Sequence, residues 1–363
     1  MNLSVQVRTR LSPRFLLDVA LDAAPGVTIV FGESGSGKTT LLRSVAGLTR
    51  PDSGRIAIGD RVLFDAGARV DIPPAQRRVG FVFQHLALFP HLTAADNIEY
   101  GLSRVDHEER RRRVAAIAKS FRIDQVLGRR PGEISGGERQ RVGLARSLVT
   151  DPEILLLDEP LSALDHSTQS RIIEDLSAWN DARRIPILCV THSQREVFAL
   201  GQRVLVLEGG RVAADGTPED VMEYPSHERV AQLAGFENLL AASVVARKPE
   251  AGTMVTRLAG TNVDLETPLT EAAVGQSLRV AIRAGDILIA TERPRGLSAR
   301  NQVPGTIAAL GREGSFVRAT VDIGVPVDVH VTPGAVDQLS LREGGRVWLV
   351  VKTHSCRPVT RSG

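Results

Sequence analysis

The run GESGSGKT at residues 32–39 constrains this chain more than any other feature of it. A short β-branched stretch, residues 27–31, precedes it, and Leu41, Leu42 and Val45 follow at helical spacing, so the glycines fall at a strand-to-helix turn. Gly32, Gly35 and Gly37 let backbone N–H groups turn inward around phosphate oxygens. The helix start adds partial positive charge and Lys38 a full one, with Glu33, Ser34, Ser36 and Thr40 completing the cradle. Thr39 is placed to hold Mg2+.

Around this loop the first half of the chain alternates apolar runs (27–31, 79–83, 154–157 and 187–190) with helical patterns. That alternation predicts an α/β fold with a mostly parallel sheet covered by helices. Two hairpins, 56–58 with 62–64 and 204–207 with 212–214, are expected as antiparallel edges of that sheet. A helical insert is expected over about 85–150, where Asp106 caps a helix carrying Val114, Ile117 and Phe121 and the HEERRRR run is its solvated face. After Leu233 the texture changes to short alternating strands with Gly and Pro turns, which predicts an all-β domain over 234–363 behind a first domain of 1–233.

With 363 residues the chain has room for two cores, and 24% charged against 42% hydrophobic residues describes a globular protein. A net charge of +3 gives no nucleic-acid footprint. Cys189 and Cys356, without a CxxC pair, point to neither a disulfide framework nor a zinc site. No signal peptide and no run of about 18 apolar residues is legible, so a membrane role is expected to come through a partner.

Two further segments carry chemistry. ILLLDEP ends a buried strand in Asp158, which can reach a magnesium shell, and Glu159, a candidate general base for the water that attacks the γ-phosphate. In EISGGERQRVGLARSL, Ser135 and Glu138 have capping-box spacing, and Gly136 and Gly137 leave bare N–H groups at the helix start that suit an anionic phosphate. This segment resembles the signature of the ABC ATPases, with Ile134 and Glu138 as its departures. Gln84 resembles that family's Q-loop, SALD at 162–165 its D-loop and His192 its switch histidine, all in the family's order. The interval between Lys38 and Asp158 carries no sustained heptads, which sets aside the ABC ATPases of DNA repair and chromosome compaction.

The resemblance implies a P-loop NTPase domain with a RecA-like core and helical subdomain, binding ATP and Mg2+ in a head-to-tail homodimer. In that dimer the phosphate loop of one copy faces Ser135, Gly136, Gly137 and Glu138 of the other, with Asp165 at the shared edge. Gln84 would touch Mg2+ or the attacking water, His192 would contact the γ-phosphate and hold Glu159, and Phe15 would stack on adenine. Residues 85–100, with Leu86, Leu88 and Phe89, resemble the segment that importer ATPases set against two integral-membrane permease subunits.

Towards the end of the chain, GLSARNQVPGTI (296–307) resembles the TSARN-type motif of molybdate-binding Mop domains, a likeness that extends over about 291–357. An OB-type all-β unit is implied, with a candidate oxyanion site at the Ser298 hydroxyl, the backbone around Ala299, Arg300 and Asn301, and Lys352. Thr353, His354, Ser355 and Cys356 replace the small residues usual after that lysine, a departure from the family. Taken whole, the chain resembles the ATP-binding subunits of molybdate importers. That implies a place on the cytoplasmic face of the inner membrane and an extracytoplasmic molybdate-binding protein as an indirect partner. Tungstate, sulfate or ferric-ion importers and non-transport ABC ATPases are the alternatives.

Overall fold

A computed structural model describes residues 1–162 and 164–359. The chain divides into two compact units, Met1–Glu219 and Asp220–Gly363. Among the described residues no helix is long and apolar enough to cross a membrane.

The first unit contains two sheets. Strands β1 (Leu3–Ser12), β2 (Phe15–Ala23), β4 (Ser53–Ile58), β5 (Arg61–Asp65) and β6 (Val70–Asp71) form an antiparallel sheet in the order β2-β1-β4-β5-β6. Strands β3 (Gly26–Phe31), β7 (Val79–Val82), β8 (Ile154–Asp158), β9 (Pro186–Thr191), β10 (Arg203–Glu208) and β11 (Arg211–Gly216) form the second, ordered β11-β10-β3-β9-β8-β7 and parallel except for the β10–β11 pair. The expected hairpin at β10 and β11 is therefore an edge of the parallel sheet. That at β4 and β5 is not: β1 pairs with β4 and carries the hairpin into a separate layer. The N-terminal pair had a period-2 signal, since Leu3, Val5 and Val7 are buried while their neighbours are exposed.

Leu41, Leu42 and Val45 of helix α1 (Lys38–Ala46) join Val5, Val19, Ile56, Leu156 and Val190 in one core between the two sheets. At the end of α1, Gly47 adopts φ +77° beside the fully buried Arg77, and an added Cβ would lie 2.6 Å from Arg77 Nε. Helices α2 (Ala94–Glu99), α3 (His107–Ser120) and α4 (Gly136–Leu148) build the insert. Asp106 caps α3 by accepting from Glu109 N, Val114, Ile117 and Phe121 are buried, and Glu109 pairs with Arg112 and Arg113 on the outer face. Helices α5 (His166–Arg183) and α6 (Gln194–Leu200) cover the parallel sheet.

Because β3, β7, β8 and β9 run parallel, their C-terminal ends share one edge, where α/β sheets bind ligands. The phosphate loop and His192 follow β3 and β9 directly, Asp158 ends β8 with Glu159 next to it, and Gln84 lies two residues past β7.

The second unit is all β apart from short helices. β12 (Asn238–Lys248), β13 (Thr253–Leu258), β14 (Asp264–Pro268), β15 (Ser277–Ile282) and β21 (Arg357–Val359) form one sheet, ordered β14-β13-β12-β15-β21. β16 (Leu288–Ala290), β17 (Asn301–Glu313), β18 (Phe316–Asp322), β19 (Pro326–Val331) and β20 (Arg346–Val351) form the other, ordered β16-β20-β17-β18-β19. One core, including Val244, Val280, Val321 and Leu349, lies between them, and Asn238 crosses it by exchanging hydrogen bonds with the Asp328 backbone. This unit begins ahead of the texture change at Leu233, with Glu223 and Glu228 pairing with Arg283 and Arg279.

Candidate functional site

At the phosphate loop, Gly32, Gly35 and Gly37 all adopt positive φ, at +150°, +83° and +102°. A Cβ at Gly37 would lie 2.8 Å from Leu17 Cδ1 and 3.4 Å from Phe15 Cζ, so the loop needs glycine there and Phe15 sits at its side, half-buried against the core. Lys38 Nζ donates to the carbonyls of Gly32 (2.8 Å) and Glu33 (2.7 Å), which aims the ammonium into the loop. Burial pulls its pKa down, opposed by the carboxylates of Glu159, Asp158 and Glu33. Ser36 Oγ is buried without a hydrogen-bond partner, as expected of a group held for a phosphate oxygen.

Asp158 and Glu159 diverge at the end of β8. Thr39 Oγ1 donates to Asp158 Oδ1 at 3.1 Å, and burial raises the Asp158 pKa although Thr39 opposes it. A desolvated carboxylate beside a threonine hydroxyl is a donor set that suits Mg2+, which takes few protein oxygens and completes its shell from phosphate and water. Glu159 turns off the strand with φ +48°, a strained conformation for a non-glycine residue, and its N–H donates to Val190 O. Its carboxylate is gripped on both sides: Gln84 Nε2 donates to Oε2 at 3.0 Å, and His192 Nδ1 lies 3.3 Å from Oε1.

Ser135 caps α4 with the expected box: Glu138 N donates to Ser135 Oγ (3.3 Å), while Ser135 N and Oγ both donate to Glu138 Oε2 (2.8 Å each). These bonds hold the Glu138 carboxyl below its ordinary range, so its contribution is present at neutral pH and is lost as pH falls through that lowered value. A Ser135→Ala variant is expected to lose about 0.5–2 kcal/mol in denaturant unfolding at pH 7, with a smaller loss in strong acid where Glu138 is protonated. Gly137 is close-packed, since a Cβ there would meet Thr168 Cγ2 at 2.5 Å, whereas one at Gly136 would make an ordinary contact with Leu164 Cδ2 at 3.5 Å. Among the described residues no hydrogen bond joins Ser135, Gly136, Gly137 or Glu138 to the phosphate loop of the same chain. Asp165 caps α5, accepting from Ser167 and Thr168, which holds its carboxyl far below the usual range. Ala163 of the SALD segment lies outside the described residues.

In the segment after Gln84, Leu86, Leu88 and Phe89 are half-buried, and the more exposed apolar groups are Phe83 and Tyr100 at its two ends. The buried Glu196, four residues past His192, escaped the sequence reading. Its pKa is raised by burial and its Oε2 has no hydrogen-bond partner, but HSQRE at 192–196 reads as an ordinary helix start.

In the second unit, Ser298, Arg300 and Lys352 are exposed, Ala299 is half-buried, and the pairing of Asn301 with Val351 brings the two halves of the oxyanion candidate together. The Asn301 side chain faces inward instead. It accepts from Glu266 N (2.6 Å), donates to Glu266 O (2.9 Å) and reaches Cys356 Sγ (3.4 Å), so its amide ties β17 to β14 and is spent on structure. Burial raises the Cys356 thiol to about 12, which leaves it inert.

A glycine-walled phosphate loop, an aspartate–threonine pair and a glutamate held by glutamine and histidine, all at one edge of a parallel sheet, define an ATPase of the ABC class. Comparison with known proteins agrees: the family described as ABC transporter matches residues 16–162, and TOBE domain matches 297–358. The molybdenum import ATP-binding protein ModC of Mesorhizobium japonicum is 40% identical over 98% of this chain and 96% of its own length. Its namesake in Paramagnetospirillum magneticum is 38% identical over 93% of each. This chain belongs to the ModC family of ABC transporter ATP-binding proteins. Among solved structures, the dimeric bacterial ABC transporter cassette MJ0796 is 29% identical with a TM-score of 0.52, covering 60% of this chain and 98% of that one. A post-hydrolysis dimer of MJ0796 bound to ADP and Pi gives 28% and 0.51.

Proposed function

We propose that two copies of this chain close head to tail over two ATP molecules and that their hydrolysis energises molybdate import through a pair of membrane permease subunits. The observation that carries the reading is Glu159, held between Gln84 and His192 beside the Thr39–Asp158 pair. Lys38, Ser36 and the loop amides bind the β- and γ-phosphates, and Phe15 stacks on adenine. Glu159 Oε atoms accept a proton from the attacking water, which Gln84 and His192 orient by fixing the carboxylate. Thr39 and Asp158 would hold Mg2+, with Gln84 a further candidate ligand, and the ion would supply charge neutralisation at the phosphate oxygens. The rest is positioning, since phosphoryl transfer leaves the protein little covalent work.

Among the described residues the signature segment makes no hydrogen bond to its own phosphate loop, which suits donation of the Ser135, Gly136, Gly137 and Glu138 cap to ATP held by a partner copy, with Asp165 at that edge. Cargo rests on the family: the relatives are named for molybdenum import, and the second unit carries the Ser298-to-Asn301 segment beside Lys352. In this reading the protein works at the cytoplasmic face of the inner membrane, supplied by an extracytoplasmic binding protein. The test is uptake of radiolabelled molybdate by cells carrying or lacking this chain. Uptake that depends on the chain and is unaffected by excess sulfate or ferric ion supports the reading. Transport of either of those in place of molybdate overturns the cargo assignment.

A further inference from the structure

The turn after Gln84 is strained and needs something to hold it. Leu86 and Ala87 adopt φ of +25° and +45°, two consecutive non-glycine residues in the left-handed region. Such a conformation persists only when its surroundings over-determine it. One side chain from α4 does so: Arg146 Nη1 donates to Ala87 O at 2.8 Å and Nη2 to Leu86 O at 2.6 Å. Its guanidinium carbon lies 5.7 Å from the centroid of the Phe89 ring. One turn earlier on the same helix, Gly143 makes room for Leu86, whose Cδ2 lies 3.0 Å from where a Cβ would stand. The far end of the segment is fixed independently, by Asn97 bonding to Phe89 N and O.

The chemistry of Arg146 is unusual for a surface helix. Burial pulls its pKa down and no carboxylate offsets that, so both ends of its fork are committed to carbonyls of the strained turn. The helix that carries it begins at Ser135, Gly136 and Gly137, and the turn it grips begins at Gln84, which bonds Glu159.

We propose that Arg146 is a positioning residue for hydrolysis, clamping the Gln84 turn to α4 so that the group holding Glu159 and the glycine cap meant for the partner's ATP move as one body. The inference rests on the reading of Gln84 as a group that orients Glu159. Rigid coupling follows from the geometry: α4 is a regular helix from Gly136 to Leu148, and a fork on two successive carbonyls fixes both distance and orientation of the turn. Among the described residues no other side chain bonds the carbonyls of Leu86 and Ala87, so without Arg146 the turn relaxes and Gln84 loses its register with Glu159.

A double-mutant cycle on the full chain tests this, with ATP hydrolysis normalised to titrated ATP-binding sites. Arg146→Ala is expected to lower kcat about 10-fold with Gln84 present, while KM for ATP changes less than about two-fold, because the phosphate loop is untouched. In a Gln84→Ala background the same substitution is expected to cost less than about two-fold. A merely structural role would lower kcat by the same factor in both backgrounds, and that result overturns the proposal, as does a fully active Arg146→Ala. Arg146→Lys keeps the charge but not the fork, and the cycle is run with it if the alanine variant yields no ATP-binding protein. An intermediate loss that vanishes in the Gln84→Ala background supports the clamp, and equal losses overturn it. A Gln84→Ala variant as active as the parent overturns the reading of Gln84, and the clamp with it.

Discussion

A Glu159→Gln variant is expected to lose about 10²–10⁴-fold in ATP hydrolysis while binding ATP as the parent does. The size of the effect follows from the site. Glu159 stands at the end of a buried strand, its backbone strained at φ +48° and its two carboxylate oxygens each held by a neighbour, Gln84 and His192. An amide of the same shape can occupy that place but cannot accept a proton from water. In the proposed site binding falls to other atoms, chiefly Lys38 and the loop amides, so it should survive. Steady-state phosphate release, set against nucleotide titration, measures both. Hydrolysis within a few-fold of the parent would remove Glu159 as the base.

Arg77→Ala is expected to destabilise the first unit by about 3–5 kcal/mol, since each buried carbonyl left without its donor costs about 1–3 kcal/mol and the emptied space adds a cavity. Arg77 is only 1% exposed. It donates to Ser44 O and Val45 O at the end of α1 (2.9 Å each), to Ile72 O (2.7 Å) and to Asp71 Oδ1 (3.0 Å). Among the described residues Val45 O takes no backbone hydrogen bond and Ser44 O only one, from the Gly47 N–H at 3.1 Å, so the guanidinium closes the C-terminus of the helix whose first residues are Lys38 and Thr39. Removing it leaves the buried Val45 carbonyl unpaired, takes one of two donors from Ser44 O, frees the part-buried Ile72 carbonyl and opens a cavity. The neighbouring Arg78 is a control: its side chain is 58% exposed and its part-buried partner Glu153 keeps Arg61 as a second cation, so Arg78→Ala should cost less than about 1 kcal/mol. Denaturant unfolding of both variants gives the comparison, and equal stabilities would refute the buried role of Arg77.

Adjacent arginines with such different fates show where the sequence stops being informative. QRRVGF gives no sign of which arginine is inside, because the carbonyls that receive Arg77 come from residues 44, 45 and 72. Arg146 and Asn301 were opaque for the same reason, their partners lying on segments far along the chain. Asn301 in particular sits in a motif that suggests a ligand contact, yet its amide is used up on the Glu266 backbone. What could be read was local or periodic. The phosphate loop announces itself because glycine alone tolerates its φ values, the Ser135–Glu138 cap because its bonds span three residues, and β3, β8 and β9 because both faces are buried. Residues 3–7 alternate apolar and polar, a local signal that was passed over, while the placing of β1 between β2 and β4, which makes a second sheet of the β4–β5 hairpin, is a long-range pairing with no local signal.

In the proposed dimer ATP is shared between two copies, bound by the Lys38 loop of one and capped by Ser135, Gly136 and Gly137 of the other. Sedimentation of Glu159→Gln with and without saturating MgATP tests it most directly, since the variant should bind nucleotide without consuming it. The account predicts a monomer that becomes a dimer on adding MgATP and reverts when nucleotide is removed. A Glu159→Gln protein that binds ATP and stays monomeric would contradict it.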